Sequence, residues 1–150
     1  MLRDVLDLML VSDYHCGYSL QEIDGVILPA IDADRLFVMY KQEKPVGMFS
    51  YTFLTPEEEE EFVYEWDLSS PKDIWKNKPE DGTLYVMDLI APYNNAMEVA
   101  RFTQRKLMQR CKSAGHTGPW RFMRGMENRR PGFVAGLKTG SFSMEAANGQ

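Results

Sequence analysis

A single carboxylate, Asp88, stands inside the nearly continuous apolar run Leu84-Tyr85-Val86-Met87-Asp88-Leu89-Ile90-Ala91-Pro92. The turn signal Asp81-Gly82 and Pro92 bracket the run as a strand buried on both faces, near the middle of a sheet. Two-residue alternation places Asp88 on the face of Val86 and Ile90. Left alone there, a carboxylate would either cost several kcal/mol or take up a proton. A cation, an imidazole or a set of backbone donors must therefore meet it. The chain has two histidines, His15 and His116. His116 sits in the turn Gly115-His116-Thr117-Gly118-Pro119, where exposure is expected, whereas His15 lies in the polar break Ser12-Asp13-Tyr14-His15-Cys16-Gly17-Tyr18. If His15 and Asp88 meet, the carboxylate fixes the imidazole tautomer and raises its basicity, a general-base dyad. A structural Asp tied to a neighbouring loop is the other reading. Cys16 is a poor nucleophile for His15, because adjacent residues point apart on any regular backbone.

The elements that must position this pair follow from periodicity. Leu2, Val5, Leu6, Met9 and Leu10 recur at helical spacing, giving a helix over 2–11. Ser19-Leu20-Gln21-Glu22 is a capping box opening a second helix toward Val26 and Ile27, which Pro29 should end or kink. Arg35 to Tyr40 and Val46 to Phe53 form a hairpin across Lys41-Gln42-Glu43-Lys44-Pro45, with Gly47 a site for a bulge. Thr55-Pro56-Glu57-Glu58 starts another helix, and Glu59, Glu60 and Glu61 continue it as a solvated face. Residues 67–82 read as a loop with one turn at Ile74-Trp75, a candidate lid or simply a connector. Asn94-Asn95 caps a long helix over 96–113, with Val99, Phe102, Leu107 and Cys111 inward and Arg101, Arg105, Lys106, Arg110 and Lys112 outward. Trp120 to Met123 is a strand, Glu127 to Gly132 a loop, Phe133 to Leu137 a last strand, and the rest a frayed tail. The order predicts one α/β domain over 1–150, with a mixed, mostly antiparallel sheet flanked by helices.

Composition narrows the function classes. At 44% hydrophobic residues the chain can bury a core. No apolar run is long enough for a membrane span, and the acidic, broken N-terminus is not a secretory signal. Two cysteines, Cys16 and Cys111, give neither a disulfide framework nor a metal pair, so a reducing, cytoplasmic setting and no metal are expected. Residues 1–75 carry 5 Lys/Arg against 16 Asp/Glu, and residues 76–150 carry 12 against 6. By itself this asymmetry reads as solvated helix faces; the basic second half would also suit an anionic partner such as nucleic acid, an acidic protein or a phosphate-bearing cofactor. Nucleic acid ranks low, because no aromatic platform interleaves the arginines.

Several blocks, in order, carry a resemblance to a known family. Ser12 and His15 are followed by Val26-Ile27-Leu28-Pro29-Ala30-Ile31; then come Lys44-Pro45-Val46-Gly47-Met48-Phe49-Ser50-Tyr51 and Asp81-Gly82. Met87-Asp88-Leu89-Ile90-Ala91-Pro92-Tyr93 is the most specific, and Arg121-Phe122-Met123-Arg124 with Gly136-Leu137-Lys138 the weakest. Over about residues 10–140 the chain resembles the toxin-activating lysine acyltransferases, which move a fatty acyl group from acyl carrier protein to internal lysines of RTX toxins.

That resemblance implies an acetyltransferase (GNAT)-like fold, homodimers, and His15 and Asp88 as the essential pair. His15 would act as general base toward the incoming amine or carry the acyl group transiently, Asp88 would orient it, and Ser12 would position the thioester or His15. No cofactor would be held permanently; the acyl-phosphopantetheine of acyl carrier protein is the donor, and a protein lysine is the acceptor. The sequence has no Gln/Arg-x-x-Gly-x-Gly/Ala segment of the kind that cradles coenzyme A pyrophosphate, which agrees with a carrier-protein donor. Arg101, Arg105, Arg110, Arg121 and Arg124 are the candidates to meet the acidic carrier and its phosphate. A second reading, from another class, is a catalytically inactive relative that binds or inhibits through a protein interface.

Overall fold

Among the described residues, five strands form one sheet in the order β1-β2-β3-β4-β5. The structure, a computed structural model, describes residues 1–64, 73–113, 120–124 and 130–134. Strands β1 (Leu36–Lys41), β2 (Lys44–Leu54) and β3 (Thr83–Ile90) pair antiparallel. β3 pairs parallel with β4 (Trp120–Arg124), which pairs antiparallel with β5 (Arg130–Val134). The sheet is thus mixed and mostly antiparallel, and β3, the Asp88 strand, is its centre.

One face of the sheet is covered by α1 (Leu2–Leu10), by the turn Ile23–Ile27 that follows the short exposed α2 (Leu20–Glu22), and by α3 (Leu28–Asp32) and α4 (Pro56–Tyr64). Val5, Leu8, Val26, Ile27, Ala30, Met48, Leu54, Phe62, Tyr85 and Ile90 share that core. The other face is covered by α5 (Ala96–Ser113), where Leu107 and Cys111 meet Phe49, Tyr51, Phe53, Leu84, Val86 and Trp120. Burying one such aliphatic or aromatic side chain stabilises the fold by roughly 1.5–3 kcal/mol, so the two-sided core is what holds β3 in place.

Local chemistry sets the helix ends. Ser19 Oγ accepts from the Glu22 N–H, and Glu22 returns a carboxylate to the Ser19 N–H. Thr55 and Glu58 make the same reciprocal pair at the start of α4. Pro29 does not end its helix. Between α2 and α3 the chain makes a π turn, Ile23–Ile27, in which the Leu28 N–H reaches the Ile23 carbonyl. Pro29 then falls in the first turn of α3, where its missing N–H costs little, and the helix runs on to Asp32.

The hairpin turn is tighter than the sequence suggests. Gln42 (φ 48°) and Glu43 (φ 65°) form it alone, both in the left-handed region that matches strand twist. The β1–β2 register skips Val46, beside Gly47, so a bulge does fall there. The Val46 carbonyl accepts from Asn95 Nδ2, and the Asn95 carbonyl accepts the Val99 N–H at the start of α5.

Two expectations need correction. Ile74 and Trp75 are buried in the core, and Asn77 Nδ2 donates to the Phe53 carbonyl and to Glu58, so this part of the 67–82 loop is a wall of the core rather than a lid. Arg130 to Gly132 belong to β5 rather than to a loop; Pro131 is tolerated because, in the order described, β5 is an edge strand. The turn carrying His116, Gly136 to Lys138 and the tail lie outside the described residues.

Candidate active site

His15 opens a single 3-10 turn, His15–Gly17, between α1 and α2. The Cys16 N–H donates to the Ser12 carbonyl, and the Tyr18 N–H to the His15 carbonyl, so four short-range contacts of this segment converge on Ser12 and His15. The Ser12 hydroxyl oxygen lies 2.8 Å from His15 Nδ1, and the His15 N–H approaches the same oxygen at 3.5 Å.

Asp88 arrives from the centre of the sheet. Its Oδ1 is 3.2 Å from His15 Nε2, and both side chains are 7% exposed. The Tyr18 hydroxyl donates to the same Oδ1 at 3.2 Å, and the Ser50 hydroxyl donates to Oδ2 at 3.1 Å. The Asp88 N–H in turn donates to Ser50 Oγ. Three side-chain donors on two carboxylate oxygens make this buried charge an affordable one.

A bulge sets the direction of Asp88. Ser50 pairs with Asp88 and Tyr51 with Val86, which leaves Met87 as an extra residue on β3. Asp88 and Ile90 consequently share one face, with Ser50 and Met48, while Val86 packs on the opposite face with Leu84 and Trp120. Plain alternation, which puts Val86 and Asp88 together, fails at this one residue. The parallel pairing of β3 with β4 runs Leu84↔Trp120, Tyr85↔Arg121 and Val86↔Phe122, and Asp88 lies beyond its last pair.

The geometry assigns protons in the neutral ring. An ionised carboxylate can only accept, so Nε2 carries the hydrogen and donates to Asp88. Nδ1 is then an acceptor, and the hydroxyl of Ser12 donates to it. Ser12, His15 and Asp88 form a continuous chain of hydrogen bonds whose order is hydroxyl, imidazole, carboxylate. Such a chain can take a proton at the hydroxyl end and stabilise the resulting imidazolium at the carboxylate end. Burial, and then the Asp88 carboxylate, push the ionisation of the Tyr18 phenol far up, so that it stays a donor.

The arginines are not gathered at this site. Arg101, Arg105 and Arg110 lie on the exposed side of α5, which covers the sheet face opposite His15. Arg110 pairs with Asp34 at 2.7 Å and lies over the Phe37 ring. Arg121, on β4, bonds Glu59 of α4, whose carboxylate also accepts from the Tyr85 hydroxyl. Burial and that carboxylate push the Tyr85 phenol up to about 12. The side chain of Arg124 lies outside the described residues. Cys16 is exposed, with its thiol on the Asp13 carbonyl rather than on His15. No group of three or more His, Cys, Asp or Glu among the described residues is arranged to hold a metal ion. No described helix is long and apolar enough to cross a membrane.

Tyr18 and Ser50 are the site residues that the sequence did not single out. Tyr18 could have been found three residues after His15, in the same polar break; Ser50 carried no local signal, because only strand pairing brings it to Asp88.

No curated protein matches the chain. The sequence model of the RTX toxin acyltransferase family (HlyC) matches residues 1–119, a span that contains Ser12, His15, Tyr18, Ser50 and Asp88 together with β1 to β3 and α5. A match over that much of the chain, on a mixed α/β scaffold with a buried imidazole–carboxylate pair at its centre, places the protein in the RTX toxin acyltransferase family.

Proposed function

We propose that the protein transfers a fatty acyl group from the phosphopantetheine thioester of acyl carrier protein to the ε-amine of a lysine in a target protein, with His15 as general base. The observation that carries this reading is the engagement of both imidazole nitrogens, Nδ1 by Ser12 and Nε2 by Asp88. For the ring itself to carry the acyl group, one of those contacts would have to break. As a base it keeps both.

In this reading the amine nitrogen attacks the thioester carbonyl carbon. The C–N bond forms, the C–S bond breaks, and the departing sulfur takes a proton to leave as the carrier thiol. The proton released by the amine reaches Nδ1 through the Ser12 hydroxyl, which passes its own proton to the ring as it accepts the new one. The Nε2 proton stays on the ring, and Asp88, accepting its hydrogen bond, stabilises the imidazolium formed during transfer. The imidazolium then returns its proton to the leaving thiolate, which balances the cycle.

The β3–β4 pairing stops at Val86↔Phe122, short of Asp88, which supports an acetyltransferase (GNAT)-like mode with the extended arm of the donor entering beside β3. The exposed Arg101 and Arg105 on α5 suit the acidic surface of a carrier protein. The test is acyl transfer from purified acyl carrier protein to a lysine-bearing protein, read by intact mass. An amide-linked acyl adduct on the acceptor, absent with His15→Ala, is expected. A stable acyl adduct on this protein before acceptor is added would replace direct transfer by an acyl-enzyme, and no transfer at all would favour a binding role.

A further inference from the structure

We propose that Tyr18 is a positioning residue of this site: its hydroxyl holds Asp88 Oδ1 against His15 Nε2 and so selects the imidazole tautomer that leaves Nδ1 open to Ser12. The inference rests on the general-base reading above and adds a residue to it.

Asp88 Oδ1 receives two donors, the Tyr18 hydroxyl and His15 Nε2, each at 3.2 Å. A carboxylate oxygen has two lone pairs and can serve both. Oδ2 is held separately by Ser50, which is itself held by the Asp88 N–H. Ser50 alone would fix one oxygen and leave the carboxylate free to turn about its bond to Cβ. With Tyr18 on the other oxygen, the plane of the carboxylate is set from both sides.

The direction of the proton follows. The carboxylate oxygens are already taken up as acceptors, Oδ2 by the Ser50 hydroxyl and Oδ1 by the Tyr18 hydroxyl, and the ring completes the set by donating from Nε2. Tyr18 also confines the ring directly. Its own ring lies 5.1 Å from the imidazole, and Tyr14 stands edge-on to both, 4.9 Å from His15 and 5.5 Å from Tyr18. The backbone closes the unit, with the Tyr18 N–H on the His15 carbonyl. A tyrosine that only filled space would not need its hydroxyl on the one oxygen that meets His15.

Tyr18→Phe keeps the ring and removes the hydroxyl. The expected result is a fall in kcat of about tenfold, the size of one lost hydrogen bond to a charged group, with KM for the acyl carrier within about twofold. A structural role would not move the tautomer, so that is the deciding readout. With ¹⁵N-labelled histidine and a His116→Gln background, one imidazole remains in the spectrum. Before the Tyr18 substitution its long-range proton–nitrogen correlations should show a single Nε2–H tautomer; Tyr18→Phe should show mixing with the Nδ1–H form. Placing 3-fluorotyrosine at position 18 restores ring and hydroxyl together and should restore both rate and tautomer.

A Tyr18→Phe protein with unchanged kcat and a single unchanged tautomer, when His15→Ala is inactive, overturns the role of Tyr18 and leaves the general base standing. A folded and fully active His15→Ala protein overturns the general base itself. Should Tyr18→Phe not fold, the spectrum with Tyr18 in place decides: an Nδ1–H tautomer there overturns the proposal.

Discussion

His15 Nε2 and Asp88 Oδ1 meet at 3.2 Å across 73 positions of sequence, with both side chains buried. Asp88→Asn keeps the shape of this contact and removes its charge, so acyl transfer should fall by roughly three to four orders of magnitude. His15→Ala should fall comparably, and the double variant should be little worse than either, since the pair works as a unit. Stability separates the two positions. Asp88→Ala leaves Tyr18 and Ser50 donating to nothing, at about 1–3 kcal/mol for each buried group left unpaired; His15→Ala should melt closer to the unaltered protein. Thermal melts beside a transfer assay on the same preparations check both statements.

Gly47 and Val99 give a packing prediction. A Cβ added at Gly47 would stand 2.4 Å from Val99 Cγ2, on α5, and 3.1 Å from the Ile90 carbonyl oxygen. Gly47→Ala should destabilise by about 1–3 kcal/mol, and Val99→Ala should relieve much of that strain in the double variant. Gly82 has no such remedy. Its added Cβ would stand 1.8 Å from the Leu54 carbonyl oxygen, which is backbone, so Gly82→Ala should be rescued by no side-chain truncation. Denaturant unfolding of the single and double variants measures the coupling.

Charge reversal on α5 should divide the arginines. Arg101 and Arg105 are exposed, and replacing both with Glu should weaken carrier-protein binding at low salt while changing stability by about half a kcal/mol or less. Arg110→Glu should cost folding as well, because Arg110 is paired with Asp34 and lies over Phe37. Carrier affinity that is unchanged at low salt in the Arg101/Arg105 variant moves the docking surface off α5.

The two thiols should be chemically distinct. Burial pushes Cys111 up to about 11, against a smaller opposing pull from Arg35, so below that pH the folded state holds it as an unreactive thiol. Cys16 is exposed. Iodoacetamide at mildly alkaline pH should add once, at Cys16, and add a second time only in denaturant; peptide mass mapping reads the site. A first adduct on Cys111 would contradict the packing of α5 on the sheet.

Features encoded within a few residues were legible without coordinates. The Ser19–Glu22 and Thr55–Glu58 capping boxes, the span of α5 and the need of Asp88 for a buried partner all follow from local spacing or from the cost of an isolated charge. What depends on pairing was not. The Met87 bulge is a property of β2 and β3 together, so alternation along β3 alone put Val86 on the wrong face relative to Asp88. Ser50 reaches Asp88 only through that same pairing. Pro29 is a related case: local rules offer an end or a kink, and it is the π turn at Ile23–Ile27, a feature of the ladder before the proline, that lets the helix run on to Asp32. Periodicity turns the arginines of α5 outward, as the structure has them, but it cannot say which side of a sheet a helix will cover.

Ser12 and His15 sit three residues apart in one short turn, whereas Asp88 belongs to a strand that must first find its neighbours. The two halves of the site therefore have different folding histories. The hydroxyl–imidazole contact can form and dissolve with a local turn, on the timescale of loop closure; the carboxylate joins only once the long-range sheet is in register. A collapsed chain with its helices intact but its strands slipped would hold an imidazole without an oriented tautomer. Competence for acyl transfer is in this sense a late property of the chain, withheld until the centre of the sheet is built.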